Sequence, residues 1–134
     1  DLDIGHYERF IDANLNKTSI YTSGKLYEEI LNKERTGDYL GNDVQIIPHF
    51  TDLIKTKVRD SYVASGADIS IIEVGGTVGD MENETIVEAM RQLRQEMGAE
   101  NVVFVHLTYL PYLMASKELK TKPTQNSVRD LRTR

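Results

Sequence analysis

Two short stretches of this 134-residue chain carry side chains of the kind that hold a phosphorylated ligand. In the first, an apolar, β-branched run (Ile69, Ile71, Ile72, Val74) contains one carboxylate, Glu73, near its end. Gly75-Gly76-Thr77-Val78-Gly79 and then Asp80 follow. An ionised carboxylate inside an apolar strand is costly unless it is paired, hydrogen-bonded or bound to a metal. In open α/β sheets, ligands bind at the carboxyl ends of the strands. An acid at that edge suits Mg2+, and the glycines let phosphates or bases approach the backbone. The same residues also read as a salt-bridged glutamate followed by an ordinary turn.

The second stretch is Lys120-Thr121-Lys122-Pro123-Thr124-Gln125-Asn126-Ser127. Its lysines alternate, so in an extended segment both point the same way. Pro123 biases Lys122 away from helix, and Thr124 or Gln125 leads into the next helical pattern. Hydroxyls, amides and free N–H groups at a helix start suit an anion. With Lys117, Arg129, Arg132 and Arg134 this is the most basic stretch of an acidic chain, which favours a small anionic ligand over a polymer. A solvated basic loop is the plainer reading. A third candidate is Asp3, which before Gly5 suits a metal or the phosphate side of a nucleotide; equally, Asp1 and Asp3 read as loop or cap residues. His6, His49 and His106 show no metal-ligand spacing, which argues against zinc, and His106, ending an apolar run, reads as a satisfied core histidine. No serine elbow supports acyl transfer.

These groups need a scaffold, and the hydrophobic pattern suggests alternating β and α elements. Thr22 or Ser23 caps a helix to about Arg35, with Leu26, Tyr27, Ile30 and Leu31 on its apolar side. Gly37-Asp38 and Gly41-Asn42 punctuate a loop. Val44 to Ile47 reads as a short strand closed by Pro48, and Thr51 as the cap of a helix carrying Ile54, Val58 and Tyr62. Ile69 to Val74 reads as a strand. A helix from about Asn83 to Met97 aligns Ile86, Met90, Leu93 and Met97 and stops at Gly98. Val102 to Leu107 reads as a second buried strand, which makes strand, helix, strand a right-handed parallel crossover. Glu84, Glu88, Arg91, Arg94 and Gln95 read as a solvated helix face, with an oligomer interface as the alternative.

Composition narrows the function classes. The length suits one domain with a core, and no linker or repeat divides it. A net charge of −5 argues against a general nucleic-acid binder. The lack of cysteine excludes disulfides, thiolate metal sites and a cysteine nucleophile, and fits a cytoplasmic protein. No apolar run reaches membrane-spanning length. Both ends read as cuts through a domain.

Five segments in order then resemble the CTP synthase family: Asp-Leu-Asp-Ile-Gly-His-Tyr-Glu-Arg-Phe at 1–10, Lys-Glu-Arg-Thr-Gly-Asp-Tyr-Leu-Gly at 33–41, Gln-Ile-Ile-Pro-His at 45–49, Glu-Val-Gly-Gly-Thr-Val-Gly-Asp at 73–80, and Lys-Thr-Lys-Pro-Thr-Gln at 120–125. The resemblance covers nearly the whole chain. It implies part of the synthetase (amidoligase) domain: α/β, P-loop-like, a Rossmann-type three-layer domain with a mostly parallel sheet. It implies that ATP phosphorylates the 4-oxygen of UTP and that ammonia, made from glutamine by a separate glutaminase domain, displaces the phosphate to give CTP. By motif, Asp3 and Glu73 match Mg2+ ligands, with Asp3 also near ATP. Lys120, Thr121, Lys122, Pro123, Thr124 and Gln125 match the segment holding UTP and inhibitory CTP, with Lys120 and Lys122 also serving catalysis. Asp80, Met81 and Glu82 match a stretch contacting inhibitory CTP; the family usually has Ile where this chain has Met81. GTP as activator and a homotetramer are also implied, with no role for nucleic acid or membrane.

The phosphate-loop pattern Gly-x-x-x-x-Gly-Lys-Ser/Thr does not occur in these 134 residues. The resemblance places it before Asp1 and the glutaminase domain after Arg134, so the chain on its own is expected to be inactive. Two other classes stay open: a switch ATPase of the related P-loop group, which has no reason to carry Lys-Thr-Lys-Pro-Thr-Gln, and a nucleotide-binding regulatory or assembly module.

Overall fold

The computed structural model describes residues 2–134. Asp1, read above as a loop or cap residue, lies outside the described residues. The chain separates into two compact units, one ending at Ile72 and one running from Glu73 to Arg134.

The first unit is helical. Helix α1 spans Leu2–Ile11 and carries Asp3 in its first turn, where the sequence suggested loop or cap. Thr22 accepts a hydrogen bond from the Lys25 N–H (3.3 Å) and opens α2, Ser23–Thr36. Gly37, at φ 86°, closes it in the left-handed conformation that glycine adopts without strain. Helix α3, Thr51–Ser65, lays Leu53 and Ile54 against the same core as Leu26 and Ile30 of α2. Phe50 completes that core and stacks on Tyr27, ring centroids 4.4 Å apart and nearly parallel. Glu29 joins the two helices by ion pairs to Lys33 (3.1 Å) and Lys57 (2.7 Å).

Two expectations fail in this unit. Residues 44–47 form no strand: Ile47 is extended (φ −114°, ψ 121°) but joins no sheet, the chain turns at Pro48, and the Gln45 N–H donates to His49 Nδ1 (2.9 Å). Pro48 has no N–H for a ladder, and the histidine ring takes the Gln45 donor instead. Thr51 is also not a cap. It is the first residue of α3, and its hydroxyl donates back to the Pro48 carbonyl (2.9 Å).

The second unit contains α4, Met81–Met97, a short hairpin, and α5, Lys122–Arg132. Asp80 precedes α4 and Gly98 ends it, as the pattern predicts. Ala89 and Leu93 are its buried side chains. The hairpin pairs β1, Tyr112–Leu113, with β2, Glu118–Leu119, antiparallel and with Tyr112 opposite Leu119.

The chain is thus a mostly helical α/β structure, and the mostly parallel sheet is not seen: among the described residues the hairpin is the one sheet. Segments 69–74 and 102–107 stay outside any ladder, with Ile71 91% and Leu107 88% exposed. The apolar pattern is genuine, but a strand exists only when a neighbour takes its N–H and C=O groups, and no described residue supplies that neighbour. The predicted parallel crossover goes with them. Segment 102–107 still follows α4: Arg94 Nε donates to the Val102 carbonyl (3.4 Å), and its guanidinium lies 5.9 Å from the Phe104 ring centre.

Candidate functional site

The best-defined polar constellation is built around the start of α5. Beyond β2 the hairpin ladder continues for one bond, the Lys120 N–H donating to the Pro111 carbonyl (2.9 Å). Thr121 then turns the chain and Lys122 begins the helix, with Pro123 in the first turn. A missing N–H costs nothing there, because first-turn amides have no intrahelical acceptor. This corrects the extended reading of residues 120–122: Lys120 follows a strand, Lys122 belongs to a helix, and simple alternation does not align them. Pro123 disfavours helix at the residue before it, but helix initiation at N1 prevails.

Three links fix this turn. Thr124 Oγ1 donates to the Tyr109 carbonyl (3.0 Å). Gln125 Nε2 donates to Thr121 Oγ1 (3.1 Å). One helical turn from Thr124, Ser127 Oγ lies 3.0 Å from His106 Nε2. Lys120 pairs with the Glu118 carboxylate, both about half exposed. A cleft of about 440 Å3 runs along α5 past Thr124, Gln125, Val128, Arg129 and Arg132. The turn therefore offers two lysines, two hydroxyls and the orphan amides of a helix start, a set suited to an anion.

The other end of α5 holds the Gly79–Asp80 turn. Arg134 donates from Nη2 to the Gly79 carbonyl (3.3 Å) and pairs with Glu84 Oε1 (2.8 Å). Within the turn, the Asp80 N–H donates to the Thr77 carbonyl (3.2 Å) and the Asn83 N–H to that of Asp80 (3.0 Å). Gly76 stands at φ 92°, a conformation that side chains with a Cβ rarely adopt, and a Cβ there would also push the Asn83 side chain aside. Asp80 makes no side-chain cap hydrogen bond, and Asp80, Met81 and Glu82 are exposed at the start of α4. So Asp80-Met81-Glu82 and Lys120–Gln125 share the second unit but lie at opposite ends of α5, a helix about 16 Å long.

The carboxylates proposed for Mg2+ are less organised. Glu73 is exposed in irregular backbone instead of buried in a strand, and Asp3 is exposed on α1 in the other unit. Among the described residues no three His, Asp or Glu side chains cluster to hold a metal. Mg2+ commonly takes only one or two carboxylates and draws its other ligands from water and substrate phosphates. Each of these two carboxylates could at most contribute one oxygen ligand from its own unit.

Sequence reasoning missed Glu118 as the partner of Lys120, Arg134 as a brace, and the His106–Ser127 pair. Twenty-one residues separate the last two, so no local pattern announces them. In the first unit, a cleft of about 340 Å3 is lined by Glu29, Lys33, His49, Asp52 and Lys57 among others. There Glu29 is already bound to both Lys33 and Lys57, which makes the cluster a brace between α2 and α3. Lys57 raises no charge problem: its partner Glu29 pushes its pKa up, and Lys57 in turn holds Glu29 below the usual carboxylate value. No helix among the described residues is long and apolar enough to cross a membrane.

Comparison with known proteins covers all of these segments. The family model for the CTP synthase N-terminus matches residues 1–134. A CTP synthase of Levilactobacillus brevis is 59% identical over 133 residues, which is 99% of this chain and 25% of that protein. That of Streptococcus pneumoniae is 57% identical over 132 residues, covering 98% and 25%, respectively. That of Methanothermobacter thermautotrophicus is 58% identical over 133 residues, covering 99% and 25%. The chain spans about a quarter of the length of these curated relatives.

Proposed function

The chain belongs to the CTP synthase N-terminus family, and from that premise we propose that it supplies the pyrimidine-nucleotide side of a CTP synthase, a ligase that forms a C–N bond. In this reading ATP transfers its γ-phosphoryl group to the 4-oxygen of UTP. Ammonia adds at C4, the phosphate leaves with that oxygen, and CTP results. Phosphoryl transfer depends on positioning and charge stabilisation more than on covalent help from the protein.

The observation that carries the proposal is the turn at 120–125. Lys120 and Lys122 bring two positive charges to a helix start whose amides have no intrahelical acceptor. They take the phosphates of UTP, and of CTP when it inhibits, and Thr121, Thr124 and Gln125 shape the turn that presents them. Asp80, Met81 and Glu82, at the far end of α5, serve the inhibitory CTP. Asp3 and Glu73 would hold Mg2+ together with nucleotide phosphates, and the ion would neutralise their charge. Glutamine-derived ammonia, the ATP cradle, activation by GTP, assembly as a tetramer and a cytoplasmic setting complete the proposal, on the strength of the family alone.

The experiment is a UTP titration of CTP synthesis in an intact enzyme carrying this chain. Lys120→Ala and Lys122→Ala should each raise the UTP requirement about tenfold or stop synthesis. The binding should also weaken as salt rises. An unchanged UTP requirement in both variants would remove the turn from the site.

A further inference from the structure

The turn at 120–125 is held by polar links to a single upstream stretch, residues 106–111. The Lys120 N–H reaches the Pro111 carbonyl, Thr124 Oγ1 reaches the Tyr109 carbonyl, and Ser127 reaches the His106 ring. The first two use backbone acceptors that any residue would supply. The third depends on side-chain identity at both ends. His106 and Ser127 are half-buried, as are Thr124 and Val128 on the same helix, while Val105, Leu107 and Asn126 are exposed. The contact is therefore partly shielded from water.

We propose that His106 and Ser127 are positioning residues for nucleotide binding: their hydrogen bond clamps the first two turns of α5 and so sets where Lys120, Lys122 and Thr124 stand. The inference rests on the reading of that turn as a phosphate site. The hydroxyl is three residues beyond Thr124 and thus on the same helical face, so the two links form one seam between α5 and segment 106–111. Either the hydroxyl donates to an unprotonated Nε2 or the ring N–H donates to the hydroxyl; the clamp works in both tautomers. Neither side chain touches substrate in this proposal. Their effect is to limit the freedom of a loop whose charges must be ordered before a ligand can use them.

The test has a structural arm and a functional arm. In the 134-residue chain, Ser127→Ala should speed backbone hydrogen exchange over residues 122–127 and leave α4 unchanged. In the intact enzyme, Ser127→Ala and His106→Leu should each raise the UTP requirement about two- to tenfold, with the maximal rate and ATP requirement nearly unchanged. The double variant should be no worse than either single one, since both remove one bond. His106→Gln, whose amide nitrogen can reach the same hydroxyl, should restore much of the loss. If His106→Leu loosens α4 as well, Ser127→Ala, which deletes one oxygen, decides alone. Additive losses, or a normal UTP requirement in Ser127→Ala beside a raised one in Lys120→Ala, would overturn the clamp and keep the site. A silent Lys120→Ala beside a shifted Ser127→Ala would support the clamp and overturn the phosphate role of Lys120.

Discussion

The unit ending at Ile72 and the unit beginning at Glu73 reach order by different means. The first buries Leu26, Ile30, Phe50, Leu53 and Ile54 between helices and adds an ion-pair brace at Glu29. The second buries only Ala89 and Leu93 as core side chains, and its helix α5 has none. What places α5 is a set of polar links: Thr124, Ser127 and the Lys120 amide at one end, Arg134 at the other. Apolar packing is non-directional and tolerates many arrangements, whereas hydrogen bonds specify distance and angle. The candidate site lies in the unit that relies on the specific interactions.

The largest expected effects test this contrast directly. Phe50→Ala should cost about 3–5 kcal/mol, and Leu93→Ala about 2–5 kcal/mol, since each leaves a cavity as well as losing burial. Hydrogen exchange should report each loss first in its own unit: α2 and α3 for Phe50→Ala, α4 for Leu93→Ala. If either substitution released both units to the same extent, the division into two would be wrong. If Leu93→Ala were silent, the thin apolar core of the second unit would contribute nothing.

How far the sequence could be read follows the same line. Helices α2, α3 and α4 are legible because a 3.6-residue period is a local signal, joined by the Thr22 cap of α2 and the Gly98 stop of α4. The segments 69–74 and 102–107 were legible as apolar and β-branched, but a strand also needs a partner, and the partner is not written in the segment itself. Glu73 was misplaced for that reason, its burial having been inferred from the strand. In the basic motif, the residue types were legible and the geometry was not. Alternation at Lys120 and Lys122 assumes a uniform backbone, and the chain changes from strand to helix between them. His106 reads as a satisfied core histidine; it does have a partner, Ser127 on the helix that carries the candidate site, but it is half-buried and not part of a core.

A smaller effect concerns charge in the first unit. Glu29 is about one-third exposed and sits between two lysines. The hydrogen bond from Lys57, followed by that from Lys33, lowers its pKa from 4.5 against the opposing effect of burial. A carboxylate with a depressed folded pKa stabilises the fold above its unfolded value and loses that contribution as pH falls through the folded one. Lys57, raised above 10.5, behaves in the opposite sense and loses its contribution as pH rises past that value. The brace should thus be complete between about pH 5 and 10. Solvent screening at this exposure limits its worth to about 1 kcal/mol or less. Denaturant midpoints of Glu29→Gln and the parent chain should differ at pH 7 and converge in acid, as pH falls through the lowered folded pKa of Glu29. A gap that did not narrow in acid would show that Glu29 acts through packing instead of charge.

The smallest effect should come from Glu118, and it separates the two units most finely. Both units hold a lysine beside a glutamate, but the consequences should differ. Glu29 is locked between helices, so its charge supports the fold. Glu118 and Lys120 are about half exposed and only two residues apart, so their pair closes no long-range link and should contribute little stability. What it can do is compete. A phosphate approaching Lys120 must displace the Glu118 carboxylate, or share the ammonium with it, before gaining the full charge-assisted contact. Glu118→Gln removes the competing charge while keeping a side chain of the same shape. Its unfolding free energy should stay within about 0.5 kcal/mol of the parent. The UTP requirement of the intact enzyme should fall about twofold at low salt, and the difference should fade as added salt screens the charges. A raised UTP requirement would mean that Glu118 holds Lys120 in place for the nucleotide, making it a support and not a competitor.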